Sequence, residues 1–240
     1  MMKMKQLGIS IGLSAAVLSA PFASMASAAD LSIEIENLTR STFFTPLIVA
    51  AHPAGTSLFE LGDAASSEIQ AIAEGGDTSG AETLLTGIGA TQDNNPAAGL
   101  LEAGASTTAT LNTDGTSNVL LSVAGMILPT NDGFVALNAI EIPSEAGTYV
   151  YYAKAYDSGT EANDEIVGSG MPGQAGFPAP GPVAATLGSG GTGVAATAEG
   201  FVHIHRGVLG DTNATGGVSD IDSTLHRWLN PVAKITLTVN

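Results

Sequence analysis

The sequence predicts an all-β fold, an antiparallel β-sandwich with short helical insertions. Three observations carry the prediction. Short runs of alternating or β-branched residues recur along the chain, turn-forming clusters of Gly, Pro, Asn and Asp separate them, and no long alternation of strands with helices appears.

The elements follow in order. LSIEIENL (Leu31–Leu38) alternates, with Leu31, Ile33 and Ile35 on one face, the mark of a half-buried strand. TPLIVAAH (Thr45–His52) is a second extended run, and Pro46 places it at an edge or a strand start. DAASSEIQAIAEGG then reads as a short helix, with Asp63 as N-cap, Ile69 and Ile72 on one face and a Gly75–Gly76 stop. AETLLTGI adds a further turn or two. Strands resume with Ser106–Asn112, Asn118–Ile127, Gly133–Ile140 and Gly147–Tyr156, separated by TDGT, PTND and PSEAG turns. Gly168 to Gly193 is rich in Gly, Pro and Ala and reads as a long surface loop. EGFVHIHRGV reads as a strand, STLHRWLN as a helical turn, and PVAKITLTV as a closing strand with Ile235, Leu237 and Val239 on one face.

The first 28 residues read as a secretory signal peptide. Lys3 and Lys5 precede the apolar stretch LGISIGLSAAVLSA, and Ala26-Ser27-Ala28 supplies a small-x-small cleavage site. The apolar stretch is shorter than the ~20 residues a membrane-spanning helix needs, so no membrane span is expected. Residues 29–240 are read as one domain, secreted to the periplasm or beyond. Cys is absent, so the fold has to hold itself by packing, to which a metal ion can add.

The chain carries 7 basic and 23 acidic residues, a formal charge of −16. That balance excludes nucleic acid and anionic membrane as partners, since both bind basic surface, and it favours cations. The acids are also placed. YDSGTE puts Asp157 and Glu161 four residues apart around Ser158-Gly159, at the end of a strand. If Gly133–Ile140 and Gly147–Tyr156 pair as a hairpin through PSEAG, Asp132 at the start of one strand lies beside Asp157 at the end of the other. Asp132, Asp157 and Glu161 then meet at one rim. Ca²⁺ takes six to eight oxygen ligands from carboxylates, carbonyls and water, and three such acids are a core for it.

Four segments, in order, resemble the spondin domain of secreted matrix proteins. They are TPLIVAAHPAGTSLFELGDAASSEIQAIAEGGD, GMILPTNDGFVALNAI with its Pro-x-x-Asp turn, YDSGTE with its aromatic-Asp-x-Gly-Thr-acid loop, and the closing NPVAKITLTV. The resemblance covers nearly all of residues 29–240. It implies an antiparallel β-sandwich with one Ca²⁺ at its rim, held by residues matching Asp132, Asp157 and Glu161. It further implies a binding or adhesion module for a protein or glycan ligand rather than an enzyme. Two positions depart from the family pattern: Gly133 stands where Trp is common, and Glu161 where Asp is frequent.

An alternative rests on histidine. His203 and His205 in FVHIH share one face of a strand, as paired metal ligands do, and the stretch resembles the His-x-His strand of copper–zinc superoxide dismutases. A metalloenzyme of that type needs more histidines than His52 and His226 provide. No nucleophile elbow, Walker loop or dinucleotide fingerprint is present.

Overall fold

The computed structural model describes residues 30–240, and the signal-peptide reading of residues 1–28 lies outside them. The strands are β1 (Asp30–Asn37), β2 (Phe43–Phe44), β3 (Ile48–Pro53), β4 (Thr91–Asn94), β5 (Ser106–Asn112), β6 (Asn118–Leu128), β7 (Gly133–Glu141), β8 (Gly147–Asp157), β9 (His203–Ile204) and β10 (Ala233–Val239). Helices α1 (Ser67–Gly75) and α2 (Ser79–Gly87) lie between β3 and β4, and α3 (Gly181–Ala184) precedes β9. The fold is all-β, and its strand ladders are antiparallel, as the sequence predicts.

The layers come from one sheet folded on itself. Its order is β4-β3-β6-β7-β8-β10-β1-β5, with β2 on β6 and β9 on β8. The two end strands approach each other, and the Thr110 N–H of β5 donates to Asp93 Oδ2 of β4 at 2.8 Å. The sheet therefore curls almost into a barrel, which removes most of the exposed edge that an open sheet would present.

Alternation decides which faces are buried. In β1 and β10 the inward residues Leu31, Ile33, Ile35, Ile235 and Leu237 fill the barrel together with Leu121, Val123 and Val135. The outward residues of β1, β5, β8 and β10 face solvent, so these strands read as clean alternation. The middle strands β3, β6 and β7 are covered on both faces. Their outward residues Ile48, Ala50, Ala124, Phe134 and Ala136 pack against Ile69 and Ile72 of α1 and Leu85 of α2. Hence these strands are near-continuous apolar runs. Each fully buried Ile, Leu or Phe contributes roughly 1.5–3 kcal/mol relative to exposure.

Local differences from the sequence reading have identifiable causes. The N-cap of α1 is Ser66, whose Oγ accepts the Ile69 N–H at 3.3 Å. Asp63 is instead held in the loop, where its carbonyl accepts the Val202 N–H at 2.8 Å. Helix α1 ends at Gly76, in the left-handed conformation (φ 67°), where an added Cβ would strike Thr45 at 2.8 Å. Strands β2 and β4 lie beyond the reach of sequence pattern: one is two residues long, and the other is the polar run TQDN. The strand expected across EGFVHIHRGV shrinks to His203–Ile204. It occupies the edge of β8 beyond the point where β10 stops, pairing with Tyr156 and Asp157. STLHRWLN forms a single turn, with the His226 N–H donating to the Asp222 carbonyl at 3.0 Å. The Gly168–Gly193 loop is more than surface: Phe177 packs with Val208 and Ile221, and Val183 packs with Met126 and Leu128.

Candidate metal centre

The site grows out of the β7–β8 hairpin. Gly133 pairs with Asp157, so Asp132, one residue earlier, lies beside the end of β8, and the Ser158 N–H donates to the Asp132 carbonyl at 3.1 Å. The turn before β7 is held by Thr130, whose Oγ1 accepts the Gly133 N–H at 3.0 Å. Gly133 has no room for a side chain, because a Cβ there would meet Thr130 Oγ1 at 2.7 Å and His205 Cδ2 at 2.9 Å.

Asp132 is fully buried. Its Oδ2 accepts the Thr160 N–H at 2.8 Å, the Glu161 N–H at 3.1 Å and the Ser158 hydroxyl at 3.0 Å. Its Oδ1 is buried without a partner. Asp157 is 2% exposed; its Oδ1 accepts the Gly159 N–H and its Oδ2 an Asn163 amide hydrogen, both at 2.8 Å. Loss of solvent, and then the charge of Asp157, push the Asp132 carboxyl up to about 7. Burial also pushes Asp157 upward, against the opposing pull of Asn163 and His203. Two buried carboxylates side by side, one with an orphaned oxygen, call for a positive charge between or beside them.

Glu161 is brought to the same loop, but its side chain turns differently. Its backbone N–H serves Asp132, while its Oε1 accepts an Asn131 amide hydrogen at 2.8 Å and the Gly176 N–H at 2.5 Å. Burial raises its carboxyl to about 7, and the charges that add to this come from Glu74 and Asp164 rather than from Asp132 or Asp157. Its Oε2 makes no hydrogen bond among the described residues. The structure thus joins Asp132 and Asp157, and places Glu161 at the rim with one oxygen engaged elsewhere.

The segment around Gly200 closes the other side. Gly159 has φ 68°, and an added Cβ would lie 2.4 Å from the Phe201 carbonyl oxygen, so only glycine lets the two segments touch. The Gly200 N–H donates to the Gly159 carbonyl at 2.8 Å. This contact carries Glu199 and His203 to Asp157. Among the described residues, Asp157, Glu199 and His203 offer ligand atoms within 4.8 Å of one another. His203 Nε2 lies 3.5 Å from Asp157 Oδ1 and 4.0 Å from Glu199 Oε2. Its Nδ1 donates to the Ile204 carbonyl at 3.1 Å, so Nδ1 carries a proton. In the neutral ring Nε2 is then a lone pair turned toward carboxylate oxygens, an arrangement that a proton or a cation relieves.

His203 and His205 do not form a pair of ligands to one ion. His205 is buried against Trp228, ring centroids 5.1 Å apart, and its Nδ1 accepts the Gly207 N–H at 3.0 Å. Burial holds it neutral, with its pKa lowered to about 3. His52 bridges Thr56 Oγ1 and Ser122 Oγ, each at 2.8 Å, and is structural, as its position before Pro53 suggests. Sequence reasoning missed Asn131, which ties Glu161, Asp164 and the Glu165 N–H together. It also missed Glu199. The signal for Asn131 lies in its place beside Asp132 in the PTND turn; for Glu199 there is none, since 42 positions separate it from Asp157.

The model of the spondin N-terminal domain family, Spondin_N, matches residues 37–165, more than half of the chain, and the match contains both Asp132 and the YDSGTE loop. The chain belongs to the spondin N-terminal domain family. A search of curated proteins gives no significant match. Membership suggests an extracellular module of binding or adhesion type. Among the described residues of this spondin domain, no helix is long and apolar enough to cross a membrane. The matched region ends at Glu165, so the segment that supplies Glu199 and His203 lies beyond it.

Proposed function

We propose that this protein is an exported, non-enzymatic binding module whose rim is organised by Ca²⁺. The observation that carries the reading is the orphaned, buried Oδ1 of Asp132 beside Asp157. The donor set is rich in oxygen: Asp132, Asp157 and the free Oε2 of Glu161, the three residues that the family pattern selects. A divalent ion there supplies charge neutralisation. The chain supplies the rest: Thr160 and Glu161 N–H groups fix the Asp132 carboxylate, and Asn163 and Gly159 fix Asp157. With the loops after β8 and before β9 fastened at one point, the rim is a rigid surface for a protein or glycan ligand.

The test is thermal unfolding of the metal-stripped protein with and without Ca²⁺, beside Asp157→Asn. A ligand bound only by the folded state adds RT ln(1 + [L]/Kd), about 2.7 kcal/mol at 100-fold over Kd. A rise in wild type that is lost in the variant supports the reading; no rise removes it.

One observation favours a second reading. The cluster Asp157, Glu199 and His203 includes an imidazole, a ligand better suited to Zn²⁺ than to Ca²⁺. A shift with Zn²⁺ and none with Ca²⁺ would move the site to these three residues and reopen a metalloenzyme function.

A further inference from the structure

Arg206 and Arg227 are two of only seven basic residues in the chain, and both line one cavity of about 220 Å³. Asp157, Glu199, His205 and Val208 line it with them. Among the described residues, Arg40 Nη1 donates to the Thr224 carbonyl at 3.1 Å and Lys234 pairs with Glu36 at 3.3 Å, whereas Lys154 makes no such contact. Among the described residues, Arg206 and Arg227 make neither a hydrogen bond nor an ion pair, and the acids on the same wall stay out of ion-pairing reach. Two unpaired arginines thus line one hollow of a strongly acidic chain.

A third donor lies in the same wall. His205 is 5% exposed, and its Nδ1 accepts the Gly207 N–H. In the neutral ring the proton therefore sits on Nε2, and Nε2 is buried with no acceptor. A buried donor left unmatched costs about 1–3 kcal/mol, and this one is closed off from the hollow as the wall stands.

We propose that this cavity binds a carboxylate-bearing ligand, held by the guanidinium groups of Arg206 and Arg227. Planar guanidinium forks match a carboxylate in two parallel hydrogen bonds, which an ammonium group does not. The volume, room for about seven water molecules, suits a small dicarboxylate or one acidic side chain. The arginines lie outside the matched family region, while Asp157 on the same wall lies within it. The site does not depend on the cation: the guanidinium pair acts with or without an ion on Asp157, and an ion there strengthens binding by removing repulsion.

Isothermal titration of the protein at low salt tests this, with succinate, a Glu-containing hexapeptide, succinamide and inorganic phosphate as probes, each with EDTA and with Ca²⁺. Succinate or the peptide should bind one to one, and succinamide should not. Arg206→Ala with Arg227→Ala should weaken binding on the order of tenfold or more. The Lys pair, Arg206→Lys with Arg227→Lys, should restore only part, since charge returns without the fork. Both arginines are exposed, so unchanged unfolding temperatures will show that the variants are folded. Binding of succinate assigns the site to a free small molecule; binding of the peptide alone assigns it to an acidic side chain of a partner. The proposal is overturned if neither binds, if the double Ala variant binds as wild type does, or if phosphate binds as tightly as the carboxylates. A failed calcium response with intact succinate binding would remove the cation reading and leave this one standing.

Discussion

Asp132 and Asp157 stand side by side because the β7–β8 ladder pairs Gly133 with Asp157, and the fold buries both carboxylates with an oxygen of Asp132 left unmatched. The sequence distance of 25 residues is bridged by a hairpin whose strands bury Phe134, Val135, Ala153 and Ala155. The packing that forces this closeness is far stronger than the repulsion it creates, so the repulsion persists in the folded protein as a measurable dependence on pH and on cations.

In the metal-free protein, stability should fall as pH rises from about 4 to about 7. Asp132 is pushed up to about 7 and Asp157 upward, both chiefly by burial, while unfolded carboxylates titrate near 4. Between those values the folded state binds more protons than the unfolded one, so the contribution is fully present below the unfolded value and is lost through the folded one. Glu161, raised to about 7, acts in the same direction. Glu199 and His203 face Asp157 from the neighbouring segment. Urea unfolding in EDTA at pH 5 and pH 8 checks this. Asp132→Asn should flatten the dependence and be more stable than wild type at pH 8 without metal. Saturating Ca²⁺ should reverse the wild-type order.

Gly159→Ala should loosen the rim. The residue has φ 68°, and a methyl group would press on the Phe201 backbone at 2.4 Å. The left-handed conformation and the overlap together cost about 1–3 kcal/mol. Because Gly159 also accepts the Gly200 N–H, the segment bearing Glu199 and His203 should move away from Asp157. A lower urea midpoint together with a weakened calcium response is expected; a drop in midpoint with an unchanged calcium response would confine the ion to Asp132, Asp157 and Glu161.

These two predictions rest on features of unequal legibility. The hairpin that joins Asp132 to Asp157 could be read from two alternating runs and a PSEAG turn, because register follows from turn and pattern. The helices were legible from Ile69 and Ile72 and a Gly stop, but the true cap was not. Asp63 and Ser66 both suit an N-cap, and the choice is made by Val202, 139 positions away from Asp63. The near-closure of the sheet was hidden for a similar reason: β4 is a polar four-residue strand whose partner is chosen by tertiary contact. The side-chain direction of Glu161 was beyond the sequence as well, since Asn131 and Gly176 hold it. Local pattern reports what one strand buries; it does not report which loop returns to cover a rim.

Phe134→Ala should be among the most damaging single changes. The ring is fully buried and meets Phe59 edge-on at 5.2 Å and Tyr156 at 5.6 Å. Loss of such a side chain costs about 3–5 kcal/mol, including the cavity left behind. Phe134 directly follows Gly133, so calcium affinity should fall along with stability. Leu229→Ala, at a residue 86% exposed, should change the urea midpoint little.

The choice of metal can be read from His203→Ala and Glu161→Gln compared side by side. Imidazole is a good ligand for Zn²⁺ and a poor one for Ca²⁺, whereas a carboxylate oxygen serves Ca²⁺ well. If calcium sits on Asp132, Asp157 and Glu161, then His203→Ala should leave the calcium-induced rise in unfolding temperature intact, and Glu161→Gln should reduce it. Any rise caused by Zn²⁺ should show the opposite sensitivity, since His203 Nε2 lies 3.5 Å from Asp157 Oδ1 and Glu161 is committed to Asn131. The two ions should also compete, because Asp157 belongs to both sets: a calcium response that shrinks as Zn²⁺ is added would place the two sites on one carboxylate. Independent, additive responses would place the two ions on separate carboxylates.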